Sequence, residues 1–367
     1  MPILREAAPI ERIEVAAYRI PTDRPESDGT LEWDSTTLVV VEVVSGKHRG
    51  LGFTYADSAT ARLIQDKLAP CLAGSDVFAI PAAHEAMVRA ARNLGTRGIA
   101  SMAISAVDIA LWDLEARLLE LPLVRLLGQV REAITIYGSG GFTSYSMAEL
   151  EEQFRGYRDA GLTMMKMKVG RDAKADIARV HVARGAIGPA AQLFVDANGA
   201  YTRKQALEMA AHFAKCDVTW FEEPVTSDDL EGLRLIRDRG PSGMAIAAGE
   251  YGYDSFYFRF MLEAGAVDVL QADVTRCRGI TGFQRAAALA DAQSLPISAH
   301  CAPSLHVHLG CTMTRMCHIE YFYDHVRIEQ MLFDGAPKPH GGKLAPDLSR
   351  AGLGLEFRRA DAARFAI

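Results

Sequence analysis

The sequence lacks three features that would each fix a function class. It has no long basic run, and its formal net charge is −6. Nucleic acid and anionic membranes are therefore poor partners, because both are held by clustered Lys and Arg. It has no stretch of about 18 uncharged apolar residues, the length that spans a bilayer. The N-terminus, MPILREAAPIERIEV, carries no apolar signal core. These absences point to a soluble, cytoplasmic protein. Cysteine is sparse. Cys71, Cys216, Cys277, Cys301, Cys311 and Cys317 form no C-x-x-C pair, so reduced and mostly buried thiols are expected rather than a disulfide framework or a zinc knuckle. No G-x-G-x-x-G turn follows a strand-like segment, which leaves an open dinucleotide-binding sheet without support.

What is present is an ordinary globular balance, 49% apolar and 23% charged over 367 residues. That length suggests two domains, although an α/β barrel alone can run to about 250 residues. Residues 11–19, 37–44 and 50–55 read as strands, rich in β-branched side chains. Residues 59–72, 82–93 and 104–120 read as helices, and Pro122 ends the last. Residues 1–128 are thus expected to form an α+β domain.

The pattern changes after that point. Eight short apolar segments alternate with amphipathic helices: 135–141, 163–170, 193–199, 218–224, 244–250, 267–274, 296–301 and 318–322. Their starts recur at the interval one βα unit needs, and eight consecutive parallel units close into a barrel. The expected fold is a (β/α)₈ barrel over 129–334, with 335–367 returning to the first domain.

The strand ends carry the chemistry. Lys166 and Lys168 end the second strand, Asp196 and Asn198 the third, Glu222 and Glu223 the fourth and Glu250 the fifth. Asp273 ends the sixth, His300 the seventh and Glu320 the eighth. Ionisable groups at buried strand ends are costly unless they serve a site, and in a barrel these ends meet at one mouth. Asp196, Glu222 and Glu250 stand one βα unit apart. Three such carboxylates cannot all stay ionised in a closed mouth without a cation. All-oxygen ligands favour Mg²⁺, with Mn²⁺ the other fit.

Lys166 and Lys168 share a strand face and should both point inward. Their mutual repulsion and a nearby cation should depress both pKa values, making one a usable base. The other reading is that both simply pair with the carboxylates. His300 lies one unit beyond Asp273, which can fix its tautomer and leave the second nitrogen facing the mouth. Glu223 is expected to face the helical layer or reach an outer partner, if Trp220 and Glu222 point inward. His306, His308 and His318 are read as structural or surface residues.

Taken together, these motifs resemble the enolase superfamily, and within it the mandelate racemase subgroup. The resemblance rests on IALWDLEARLLELPLVRLLG (109–128), KMK (166–168), VDANGAY (195–201), WFEEP (220–224), Gly249-Glu250, QAD (271–273), SAH (298–300) and Glu320, in that order. It covers nearly the whole chain. It implies that Asp196, Glu222 and Glu250 hold Mg²⁺. Lys168 and the His300–Asp273 pair would be bases on opposite faces of a substrate. Glu320, in protonated form, would hydrogen-bond a substrate carboxylate, and Lys166 would neutralise the enediolate formed when an α-proton leaves.

In this family the capping domain sets specificity. Its expected loops, PTDRPESDGTLEWD (21–34) and TYADS (54–58), are polar, which suggests a polyhydroxy acid. Arg24, Tyr55 and Asn198 are the candidate substrate-binding residues. Dehydration of an acid sugar is the first expectation. Racemisation or epimerisation, and then lactone cycloisomerisation, follow. A binding protein that has lost catalysis is the reading from another class, and the intact set of ionisable residues argues against it. The resemblance also implies a homo-oligomer.

Overall fold

The β-branched segment read at 37–44 folds as the middle strand of a three-stranded antiparallel sheet. The computed structural model describes residues 7–367. The sheet runs β1 (Arg12–Ser27), β2 (Glu32–Ser45), β3 (His48–Tyr55), in that order. Alternation splits β2 between two cores. Val39, Val41 and Val43 pack with the helices Ile80–Ala91 and Ile99–Leu118. Leu38 and Val40 join the cluster that continues into the barrel. The sheet lies close against Ile99–Leu118. A Cβ at Gly50 would sit 2.1 Å from the Ala110 carbonyl oxygen, and one at Gly52 2.1 Å from that of Ala106. Only glycine allows this approach.

The expected loop at 21–34 is not a loop. β1 runs on to Ser27 and β2 begins at Glu32, with a register shift between Pro21 and Glu26. The polar residues of this stretch form the end of a long hairpin. Asp28 closes its turn, accepting from Thr30 N at 2.6 Å and Leu31 N at 2.7 Å. A strand can be polar where one face meets water, so composition alone misread the segment.

The barrel is β4 (Ile134–Gly140), β5 (Met164–Lys168), β6 (Gln192–Asp196), β7 (Val218–Glu222), β8 (Ala245–Ala248), β9 (Val269–Ala272), β10 (Ile297–Ala299) and β11 (Met316–Phe322). These eight are mutually parallel, and β11 pairs with β4 to close the ring. All eight fall within or overlap the segments read from the sequence. Helices follow the strands, from Met147–Asp159 after β4 to Tyr323–Leu332 after β11. Tyr137, Phe194, Trp220, Ala247 and Val269 fill the barrel's interior. Phe194 and Trp220 stack with ring centroids 5.3 Å apart. Two residues on, strand parity turns Asp196 and Glu222 to the same interior.

The C-terminal segment touches both parts. Lys343–Leu344 pairs antiparallel with the start of β4. Leu353 N donates to Asp113 Oδ1 at 2.6 Å, and Ile367 N donates to the Ala17 carbonyl at 3.1 Å.

Candidate active site

The C-terminal ends of β5 to β11 bring the strand-end residues together. Asp196, Glu222 and Glu250 are buried, and one carboxylate oxygen from each lies within 4.8 Å of the others. Lys166 is enclosed. Its Nζ is 2.6 Å from Glu222 Oε1, 2.8 Å from Glu320 Oε1 and 3.5 Å from Asp196 Oδ2. Lys168 Nζ is 2.5 Å from Asp196 Oδ2. On the other side, His300 Nδ1 meets Asp273 Oδ2 at 2.8 Å. Asp273 is itself held, because Thr275 N and Oγ1 each donate to its Oδ1 at 2.7 Å. Glu320 Oε2 accepts from Cys301 N at 2.9 Å.

A cavity of about 410 Å³ opens above this floor. Lys168, Glu250, His300, Asn198 and Tyr55 line it, beside Asp28, Trp33 and Thr36 from the hairpin. Lys168 and His300, from strands on different sides of the ring, therefore face one space. Lys166 does not line it.

The electrostatics correct two expectations. Both lysines should have lost pKa. Among the protein's own groups the reverse holds, because carboxylates outnumber ammonium groups. Burial opposes the charge on Lys168, but Asp196 outweighs it and raises the pKa above the usual lysine value. Burial likewise opposes Lys166, and Glu222 and Glu320 override it. Both lysines thus pair with carboxylates, and Lys168 also faces the cavity. For Glu320, expected protonated, the protein's own charges favour the ionised form. Burial would raise it, but Lys166 and His300 bring it well below the usual carboxylate range. Burial lowers His300, and the charge of Glu250 and the hydrogen bond to Asp273 more than reverse this.

The carboxylate cluster fits a hard divalent cation. Burial, then Asp196, pushes Glu222 up to about 8. Glu250 Oε2 is buried without a hydrogen-bond partner. A carboxyl raised that far and an orphaned buried oxygen mark negative charge that the lysines do not fully balance.

Glu223 is a further correction. It does not face the helical layer. It adopts a positive φ of 39° and is buried, with Oε1 unpartnered. It lines a second cavity, of about 440 Å³, with Asn198, Arg97, Ser227 and Tyr257. Asn198 and Tyr251 border both cavities. Burial, then Glu250 and Asp196, raises the Glu223 carboxyl well above its ordinary value.

The candidate substrate-binding residues divide. Asn198 lines the main cavity, and its Oδ1 is buried without a partner. Tyr55 also lines it, but its hydroxyl is 3.2 Å from Glu329 Oε1 and its ring stacks on His325. Arg24 is not in the cavity. The extension of β1 carries it to Glu149, 3.2 Å away, with its guanidinium over the Tyr145 ring. His306 and His318 are structural, as read: His306 joins the Cys301 carbonyl to Val274 N, and His318 Nδ1 meets Ser298 Oγ. His308 Nε2 meets the Leu353 carbonyl.

One candidate side chain was missed. Arg276 lines the cavity, 3.2 Å from Glu250 Oε1 and 3.6 Å from Asp273 Oδ2. It stands three residues after Asp273, in the turn that leaves β9, where the strand-end rule would have found it.

Two family models match the chain. Residues 13–128 match the mandelate racemase/muconate lactonizing enzyme N-terminal domain, and residues 149–362 the enolase C-terminal domain-like family. The chain belongs to the mandelate racemase/muconate lactonizing enzyme family of the enolase superfamily. Members of this family similar to it include a 3,6-anhydro-α-L-galactonate cycloisomerase of Streptomyces coelicolor, 32% identical over 95% of this chain and 98% of that one. An L-talarate/galactarate dehydratase of Salmonella typhimurium is 29% identical over 85% and 81%. Among solved structures, a mandelate racemase/muconate lactonizing enzyme-like protein from Rubrobacter xylanophilus is 52% identical, with TM-score 0.95 over 98% of this chain and 99% of that one. A racemase from Streptomyces coelicolor with bound magnesium is 31% identical, with TM-score 0.92 over 98% and 100%. The chain is an enzyme of this superfamily, and its relatives at about 30% identity include acid-sugar dehydratases and cycloisomerases.

Proposed function

We propose that this enzyme removes the proton α to the carboxylate of an acid sugar and completes the reaction by expelling a β-hydroxyl, a dehydration. The observation that carries the reading is that Lys168 and His300 line one cavity above the Asp196–Glu222–Glu250 cluster. Those three carboxylates would hold Mg²⁺, which supplies positive charge where the substrate carboxylate gains electrons. The magnesium-bound racemase relative supports this choice.

An α-proton beside a carboxylate is a very weak acid, because its loss leaves a dianion. Lys166, enclosed between Glu222 and Glu320, contributes fixed positive charge to that dianion. With Mg²⁺ bound to Asp196 and offsetting its pull on Lys168, Lys168 and His300 would accept or return protons on opposite faces of the α-carbon. Asp273 accepts from Nδ1–H of His300, so Nε2 is the nitrogen free to act in the cavity. His300 protonates the departing hydroxyl. Asn198 Oδ1 and the hairpin residues Asp28 and Thr36 offer partners for sugar hydroxyls.

Cycloisomerisation of a sugar lactone or anhydro sugar is the second reading. The cycloisomerase relative, matched over 98% of its length, favours it. It uses the same bases, but the enediolate expels or captures a ring oxygen instead of hydroxide. The deciding experiment is a screen of mono- and diacid sugars in deuterated water, read by NMR and by α-keto acid formation. α-Keto acid supports dehydration. An isomer without it supports cycloisomerisation or epimerisation. No deuterium exchange from any acid sugar, with Mg²⁺ present, removes the reading and favours a binding role. No helix among the described residues is long and apolar enough to cross a membrane. A cytoplasmic homo-oligomer remains part of this reading, and a monomeric mass by light scattering removes that part.

A further inference from the structure

His300 and Glu320 have a neighbour that the proposed reaction does not use. Cys301 is buried and borders the same cavity. Its Sγ lies 3.3 Å from His300 Nε2 and 3.5 Å from Glu320 Oε2. His300 Nε2 and Glu320 Oε2 are 3.8 Å apart. Zinc binds His nitrogen and carboxylate oxygen at about 2.0–2.1 Å and Cys sulfur at about 2.3 Å, so a tetrahedral ion needs edges of about 3.3 Å between nitrogen and oxygen and about 3.5 Å to sulfur. The two separations to sulfur are close to that, and the 3.8 Å between His300 Nε2 and Glu320 Oε2 must close by about 0.5 Å as the ion enters. The three ligand atoms already lie within 4.8 Å of one another.

The surroundings fit as well. A zinc-bound histidine commonly donates its other N–H to a carboxylate, which fixes the ring and strengthens the ligand. Asp273 stands in that position at 2.8 Å, and Thr275 holds Asp273 through two hydrogen bonds. The second carboxylate of the floor, Glu250 Oε2, is 3.3 Å from His300 Nε2 and has no hydrogen-bond partner. Two ligand sets of different chemistry therefore share one floor. Asp196, Glu222 and Glu250 offer oxygen alone, suited to a hard cation. His300, Cys301 and Glu320 offer nitrogen, sulfur and oxygen, suited to a borderline-soft one.

We infer that His300, Cys301 and Glu320 form a second, inhibitory metal site for Zn²⁺ or a similar thiophilic divalent cation, separate from the Mg²⁺ carboxylates. Binding releases the Cys301 thiol proton to solvent and forms a thiolate bond to the metal. It also occupies His300 Nε2, so the enzyme is blocked while Mg²⁺ stays bound. This last consequence rests on the two-base reading proposed above, whereas the metal site itself does not.

The test uses the full chain in excess Mg²⁺, with Co²⁺ as a spectroscopic probe and Zn²⁺ as competitor. The wild type should bind one Co²⁺ per chain with a thiolate-to-cobalt charge-transfer band in the near ultraviolet, and Zn²⁺ should abolish that band. Cys301→Ser and Cys301→Ala should both lose the band. Both should bind Zn²⁺ at least about tenfold more weakly, since even an outer partner of a metal site is worth that much. Two variants guard against one that fails to fold, and circular dichroism checks each. Where a substrate has been found, Zn²⁺ should inhibit the wild type without relief from added Mg²⁺, and a chelator should restore it. Each variant, compared with its own rate in Mg²⁺ alone, should resist Zn²⁺ at least about tenfold better. A cobalt band without inhibition keeps the site and removes the base role of His300. Zinc binding that is equal in all three proteins, or that excess Mg²⁺ displaces, would put the ion on the carboxylate triad and overturn the proposal.

Discussion

The two sides of the mouth are built on different principles. On the β5–β7 side, Lys166, Lys168, Asp196 and Glu222 meet in direct ion pairs between 2.5 and 3.5 Å that leave negative charge over. Buried ion pairs of this kind are held by charge, so a divalent cation entering among them must rearrange them. On the β9–β11 side, His300 is oriented by Asp273, and Asp273 by two donors from Thr275. The charge of Asp273 is met within the protein by His300 and by Arg276, 3.6 Å away, so this chain needs no added cation to stand. The lysine side is thus a charge reservoir that a metal would organise. The histidine side is set by hydrogen bonds. Removing metal should disturb the first and spare the second.

The largest effect tests that division directly. Asp196→Asn, Glu222→Gln or Glu250→Gln should reduce Mg²⁺ affinity and take turnover below detection. Isothermal titration with Mg²⁺ and deuterium exchange into substrate measure the two losses. Full exchange in excess chelator, with no metal bound, would break the comparison at its root.

Next come the two proposed bases. Lys168→Ala and His300→Asn should each cost about 10²–10⁴-fold in turnover, the usual worth of a positioned acid or base. They should differ in stereochemistry. Each should stop α-proton exchange only for substrates of one configuration, as read with paired epimers in deuterated water. If both variants exchange both epimers at the wild-type rate, the two sides are not two bases.

A smaller effect is expected away from the floor. The hairpin end brings Asp28, Leu31 and Trp33 to the cavity. Replacing residues 28–33 with a short turn should change kcat/KM among acid sugars by about 10- to 200-fold. Mg²⁺ affinity should stay unchanged. An unchanged substrate profile would place specificity in the barrel alone.

The same contrast governs what could be read without a structure. The barrel was legible because eight apolar segments recur at the spacing of one βα unit, and seven of them end in ionisable residues. Parity then gave direction: with Trp220 inward, Glu222 had to point inward too, as it does. Two kinds of position resisted. One lies where parity ends. Glu223 leaves the strand with φ of 39°, so alternation could not say that it turns to the second cavity. The other depends on long-range pairing. Arg24 lies on a polar stretch, and only the pairing of β1 with β2 carries it away from the cavity to Glu149. The direction of the lysine pKa values without a cation was hidden for a third reason. Their sign depends on a count of neighbouring charges, and the sequence does not show that Lys166 meets three carboxylates at once.

The smallest effect concerns a charge that neither side of the mouth uses. Glu26 is buried in the hairpin, and its Oε2 accepts from Trp33 Nε1 at 2.9 Å while Oε1 has no partner. Burial, then the charge of Asp324, pushes its carboxyl up from 4.5 to about 8, with Arg327 opposing weakly. A folded-state pKa above the unfolded one means that the native protein binds the extra proton. Its contribution is whole below about 4.5 and fades as pH rises through about 8. The slope between these limits approaches about 1.4 kcal/mol per pH unit. Glu26→Gln keeps an acceptor for Trp33 and cannot ionise. Its melting temperature should therefore fall less between pH 6 and pH 8 (both about the limits of the test) than that of the wild type, by about 2–4 °C. Asp108 and Glu329, both raised to about 7 by burial, tilt both proteins the same way, so the difference between the two curves isolates Glu26. The hairpin carries Trp33 and Asp28 into the cavity, so the variant should also hold substrate affinity constant to higher pH. Parallel melting curves for the two proteins would show that Glu26 stays ionised and that Trp33 is held by a charge, which would make the hairpin end an electrostatic structure like the lysine side.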